Sequence, residues 1–223
     1  MIMKTGLRDL MERVVREGTE RRFAHLILRE DPFFRRLPEE MRSEAVDFGL
    51  NTGAGAVETA VERYGREPET MAAALHISIV RSDKSAQAGP LIHFSEYREK
   101  PPAITLYRRS LAEANQLVQE HDLEDLLGLS DVEPIHLAHE IYHHLEAKKL
   151  ILSASRFRLE TFRLGPLRLR TGLPSLSEIA ADRFALRLLG LKVAPKAVQL
   201  LTVHAHNPDY AWSCLECLQS LPS

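Results

Sequence analysis

From Ile135 to Lys149 the chain reads IHLAHEIYHHLEAKK, which places four of its ten histidines in nine positions, with a glutamate directly after the second. No other segment narrows the possible folds as much. Ile135, Ala138, Tyr142 and Leu145 recur at helical spacing and make one apolar stripe for a core. His136, His139 and His143 form a second stripe beside it. Ser130 and Glu133 have the spacing of a capping box, and Pro134 falls in a first turn, where proline is tolerated. Lys148 and Lys149 suit the negative end of a helix dipole. Residues 131–149 are therefore predicted to form one helix, buried along one side and lined with imidazoles along the other.

His139 and His143 are four apart, so their rings stack one turn apart on one face, close enough to hold one metal ion. Glu140 lies about 100° round the helix and can lean over the open side of that ion. This is the position of a general base acting on water activated by zinc. H-E-x-x-H arises by chance in roughly one chain of this size and composition in twenty. A histidine cluster without metal is the alternative reading. His136 is read as a polar residue at the helix edge and His144 as exposed. Catalytic zinc needs a third protein ligand. Positions 146 and 149 are Glu and Lys, so the short form with a third histidine nearby is absent. Further on, SEIAADRFA offers Glu178 and Asp182, four apart on one helix face and flanked by Ile179, Ala180, Ala181, Phe184 and Ala185. Buried carboxylates need a partner, and a metal is one. Alternatively, Glu178 closes a capping box with Ser175.

The rest of the chain sets the frame. Residues 1–65 read as helices, with a possible break at NTGAG. Three β-rich stretches follow: HISIV, PLIHFSEYRE and AITLYRR, the last two split by Pro101 and Pro102. SASRFRLETFRLGPLRLRTG alternates apolar residues with arginines and reads as a hairpin turning at Gly165-Pro166. Its arginines, Arg156, Arg158, Arg163, Arg168 and Arg170, would give it a positive face. The expected fold is α+β, mostly helical, with one small sheet packed on the H-E-x-x-H helix. It divides into a helical segment, 1–65, and a larger unit, 66–223, which together make one compact body. A net charge of −2 gives the molecule no field that attracts nucleic acid. No apolar run approaches ~18 residues, so no membrane span is expected. The two cysteines, in CLEC, lack a second pair for a zinc site; core packing and a reducing cytoplasm are the expectation.

The order PETMAAAL, HISIV, LIHFSEY, AITLYRRSL, HLAHEIYHHL, SEIAADRFALRLL resembles the ImmA/IrrE family of zinc metallopeptidase-like proteins, over roughly Arg66 to Pro195. The resemblance implies a zincin-like fold, with His139 and His143 as zinc ligands, Glu140 as catalytic base and Glu178 as third ligand. Members of that family are implicated in cleaving or sequestering helix-turn-helix repressors. The N-terminal helices and the arginine-rich hairpin lie outside the shared pattern. With Glu178 on the metal, Asp182 is expected to accept a hydrogen bond from the non-ligating nitrogen of His139 or His143.

Together these readings describe a cytoplasmic zinc-dependent endopeptidase acting on a protein or peptide, with no membrane or nucleic-acid partner. The alternative is a zinc-binding regulator that holds its partner without cutting it. Tyr107, His93, Tyr210, His204 and His206 are candidates for stabilising an oxyanion. AITLYRR, Ala103–Arg109, is expected at the sheet edge, because Pro101 and Pro102 interrupt pairing just before it. Peptide would then lie between that strand and the helix, with Tyr107 and the hairpin arginines on the rim.

Overall fold

A computed structural model describes residues 6–84, 87–88, 91–164 and 167–222. The helical N-terminal segment comprises α1 (Leu7–Glu17), α2 (Glu20–Arg29) and α3 (Glu39–Tyr64). After α4 (Pro68–Ala74) come β1 (Ser78–Ser82), β2 (Gln87–Ala88), β3 (Leu91–Ile92), β4 (Ser95–Arg98) and β5 (Ala103–Tyr107). Next are α5 (Arg108–Glu120), α6 (Glu124–Leu127) and α7 (Glu133–Ala147), which carries the histidines. The chain continues through β6 (Leu159–Leu164), β7 (Leu167–Thr171), α8 (Pro174–Leu189), α9 (Pro195–His206) and α10 (Pro208–Gln219). The protein is thus α+β and mostly helical, with one three-stranded sheet and two small two-stranded ones among the described residues. No described helix is long and apolar enough to cross a membrane.

The three-stranded sheet has the order β1-β5-β4, with β1 parallel and β4 antiparallel to β5. This overturns the expected edge position of Ala103–Arg109: its strand, β5, is central and paired on both sides, and Arg108 and Arg109 already belong to α5. The prolines sit in the β4–β5 turn, outside either strand, so they cost the ladder nothing. Pro102 still accepts through its carbonyl from the Ser78 amide at 3.1 Å. The strand nearest the histidine helix at the sheet edge is β4.

Where the prolines mislead about pairing, the glycines mislead about helix breaks. NTGAG runs unbroken through the middle of α3. Gly49 and Gly53 face α8, where a Cβ on Gly49 would lie 2.9 Å from Ile179 Cγ2 and one on Gly53 would strike the Ala180 carbonyl. Close helix packing outweighs their low helical propensity. The N-terminal segment accordingly lies along α8, held also by an ion pair between Glu20 and Arg183.

The capping box expected at Ser130 does not form, nor does the alternative one between Ser175 and Glu178. The first turn of α7 is held instead by Asn115, which accepts from the Val132 amide at 2.9 Å, and by Asp131, which accepts from Glu133 at 3.0 Å. At α8 the Ser175 amide donates at 3.0 Å to Asp31, a buried residue in the connection between α2 and α3. Glu178 is thereby free for other work. The hairpin β6–β7 forms as expected; its turn residues, Gly165 and Pro166, lie outside the described residues. Cys214 and Cys217 are free thiols, half-buried on α10.

Candidate metal centre

Helix α7 presents two polar stripes to two different neighbours. His136, Glu140 and His144, each four apart, meet the β4 segment in order. Phe94 stacks on His136 with ring centroids 4.3 Å apart. Ser95 Oγ donates to Glu140 Oε1 at 2.7 Å. Tyr97 Oη lies 3.0 Å from His144 Nδ1. Two expectations fall here. His136 is buried, not at the helix edge, and His144 is 3 % exposed. Their stripe is covered because β4 runs alongside α7. Burial, aided by the charge on His139, pushes His136 down to about 3, so its ring stays neutral.

The second stripe, His139, His143 and Glu146, meets α8. His139 Nδ1 lies 2.9 Å from Asp182 Oδ1. A carboxylate only accepts, so Nδ1 carries the proton and Nε2 keeps its lone pair for a ligand. His143 reaches the same state by a longer route. Ser177 Oγ donates to Glu146 Oε2 and so accepts from His143 Nδ1 at 3.2 Å. Glu146 is itself fixed by the Ser153 hydroxyl at 2.8 Å and the Ala154 amide at 2.7 Å. Each imidazole is therefore oriented by an outer partner, as ligand histidines are.

The two Nε2 atoms point at one spot and lie 3.1 Å apart. Glu178 joins them, with Oε2 3.2 Å from His139 Nε2 and Oε1 3.4 Å from His143 Nε2. Tetrahedral coordination with bonds of about 2.0–2.1 Å puts donor atoms roughly 3.3 Å apart. Three acceptors at this spacing repel one another unless a cation lies between them, so His139, His143 and Glu178 fit a divalent metal. Considered as protein groups alone, they are electrically coupled. Burial works to raise Glu178. Its hydrogen bond with His139 and the charges on both imidazoles outweigh that and hold it at about 2. Burial likewise opposes charge on His139, but Asp182 and Glu178 together raise it well above the ordinary imidazole value. Burial and the charge on His139 push His143 down, so the group as it stands favours one positive charge rather than two.

His139 and Glu178, two of the three candidate ligands, line a cleft of about 240 Å³. Ile92, His93, Phe94 and Ser95 form one wall, and Pro195, Lys196 and Gln199 at the start of α9 form another, with Glu30 beside them. Lys196 Nζ lies 3.3 Å from Glu30 Oε2 across the mouth. Of the five expected oxyanion candidates only His93 lines this cleft. Tyr107 does not, and His206 is paired with Glu113 at 2.7 Å. Among the described hairpin arginines, Arg156, Arg158 and Arg170 are exposed and none reaches the cleft.

The structure thus brings together His139, Glu140, His143, Glu178 and Asp182. Ser95, Ser177, Glu146 and Lys196 are additions that spacing did not reveal. Glu146 left a trace, since it lies three residues after His143 and so on the same helix face. Ser95 and Lys196 left none. Comparison with family models, curated proteins and solved structures finds no match to this chain.

Proposed function

We propose that the protein is a zinc-dependent peptidase of zincin-like architecture, acting on an extended stretch of polypeptide. One observation carries this reading. Three donors at tetrahedral spacing stand beside a buried carboxylate, Glu140, that is not among them. A metal that served only structure would need a closed set of four ligands and no such neighbour.

Zinc held by His139, His143 and Glu178 supplies a Lewis acid that polarises a carbonyl and acidifies a water toward a pKa of about 7. The protein does the rest. Ser95 donates to one oxygen of Glu140, which fixes the carboxylate and leaves the other oxygen free to take a proton from the attacking water. As the water oxygen bonds to the carbonyl carbon and the C–N bond breaks, Glu140 can hand that proton to the leaving nitrogen. Asp182 and Ser177 hold the two imidazoles in the required tautomers. The cytoplasm remains the proposed compartment, and a regulatory protein the proposed class of substrate.

The substrate is placed differently from the sequence expectation. The sheet edge beside α7 is β4, not β5, and Ser95 at its start lines the cleft. A peptide extended along β4 could pair with its backbone while a scissile carbonyl approaches the histidines.

The test is Glu140→Gln in the purified protein, with a mixed peptide library as substrate and mass spectrometry as readout. The variant should keep about one zinc per chain and lose cleavage by at least ~100-fold, since only the proton acceptor is gone. If the wild-type, zinc-loaded protein cleaves nothing and captures a partner as well as Glu140→Gln does, the peptidase reading fails.

A further inference from the structure

A second cavity, of about 520 Å³, lies away from the metal centre. It sits between α2, the start of α3 and the turn after α10, and is lined by His25, Arg29, Phe34, Arg42, Ser43 and Leu221, among others. Two guanidiniums converge on it. Among the described residues neither Arg29 nor Arg42 has a carboxylate partner. Arg29 donates to Cys217 Sγ at 3.2 Å, and Arg42 lies 4.5 Å over the Phe34 ring. The other two arginines of α2 are paired, Arg21 with Asp47 and Arg22 with Glu17.

His25 also lies in the wall, 6 % exposed, and neither its Nε2 nor the buried Nε of Arg42 has a hydrogen-bond partner. Buried polar groups are ordinarily paired, so the protein alone does not complete this corner. Ser43 contributes more. Its oxygen accepts from Arg21 Nη2 at 2.6 Å, which leaves the hydroxyl proton free to donate. The positive end of the α3 dipole points the same way. Glu39, at the start of α3, is the opposing charge on the wall.

We propose that this cavity is a binding site for a phosphate group, either inorganic phosphate or a small phosphate monoester. Two guanidiniums and a hydroxyl offer more donors than the two oxygens of a carboxylate can accept, and they suit a tetrahedral anion. The volume exceeds one phosphate, and Phe34 and Leu221 provide apolar wall for an organic remainder.

Calorimetric titration of the full chain with inorganic phosphate, phenyl phosphate and benzoate tests this. At least one of the two phosphates should bind with a Kd of about 0.1–1 mM, and benzoate at least tenfold more weakly. Tighter binding of phenyl phosphate assigns the site to a monoester; equal binding assigns it to free phosphate. Arg29→Gln and Arg42→Gln should each weaken the phosphates by about tenfold. Arg29 is exposed, so its variant keeps the fold and the test stands even if Arg42→Gln does not. No saturable binding by either phosphate, benzoate binding as tight as phenyl phosphate, or an affinity unchanged in Arg29→Gln would each overturn the proposal. So would binding that appears only with added zinc, because the anion would then be on the metal centre.

Discussion

His139 makes three interactions at once: Nδ1 to Asp182, and Nε2 within reach of both His143 and Glu178. Its two nitrogens have different tasks, so the site should respond differently to loss of each partner. Alanine at His139, His143 or Glu178 removes a donor and should reduce zinc from about one per chain to a trace after dialysis against a weak chelator, measured by elemental analysis. Asp182→Asn keeps the shape but weakens the acceptor that fixes Nδ1–H, and should loosen zinc by about 10–100-fold without abolishing the site. Ser177→Ala acts on His143 by the same logic. It also strips Glu146 of a donor, and about tenfold weaker zinc is expected. Competition with a chromogenic chelator reads all of these. Zinc binding as tight in Asp182→Asn and Ser177→Ala as in the wild type would deny the orienting role of both groups.

At the scale of elements, the site depends on how closely α3, α8 and α7 approach. Gly53 lets α3 press on the Ala180 carbonyl of α8, the helix that carries Glu178. Gly53→Ala must push the helices apart and should destabilise the protein by about 1–3 kcal/mol. Gly55 has nothing within 4 Å of a built Cβ, and Gly55→Ala should stabilise by up to about 1 kcal/mol through helix propensity. Urea denaturation of the pair decides: equal effects would mean that the close approach does not matter. The same elements show what a sequence reveals. The two histidines, Glu140, Glu178 and Asp182 were legible because each pair sits at helical spacing, a local property. Ser95 on Glu140 and Ser177 on His143 are contacts between distant parts of the chain, and no period announces them. The edge strand was misplaced for a related reason. Pro101 and Pro102 show where the chain turns, but not which of two antiparallel strands a third will join. His144 looked exposed because α7 already had an apolar stripe and an imidazole stripe; Tyr97 covers it from a strand that periodicity cannot position.

At the scale of the whole molecule, the candidate metal centre is assembled from α7 and α8, but its support comes from the opposite end of the sequence. Asp31 holds the first turn of α8 through the Ser175 amide, and Glu20 anchors Arg183 in the middle of that helix. Phe23, Ala24 and Ile27 are buried on the α2 face that looks toward Ile179. The half that carries the candidate metal centre is therefore not a portable module. A chain beginning at residue 66 should be insoluble or molten by near-ultraviolet circular dichroism, with α8 deprived of its N-terminal acceptor and its apolar cover. Co-expressed with a separate 1–65 peptide, it should recover one zinc per chain, because the lost contacts are non-covalent and need only be present. A 66–223 fragment that folds and holds zinc unaided would show that the N-terminal helices are an ornament rather than a co-chaperone built into the same polypeptide.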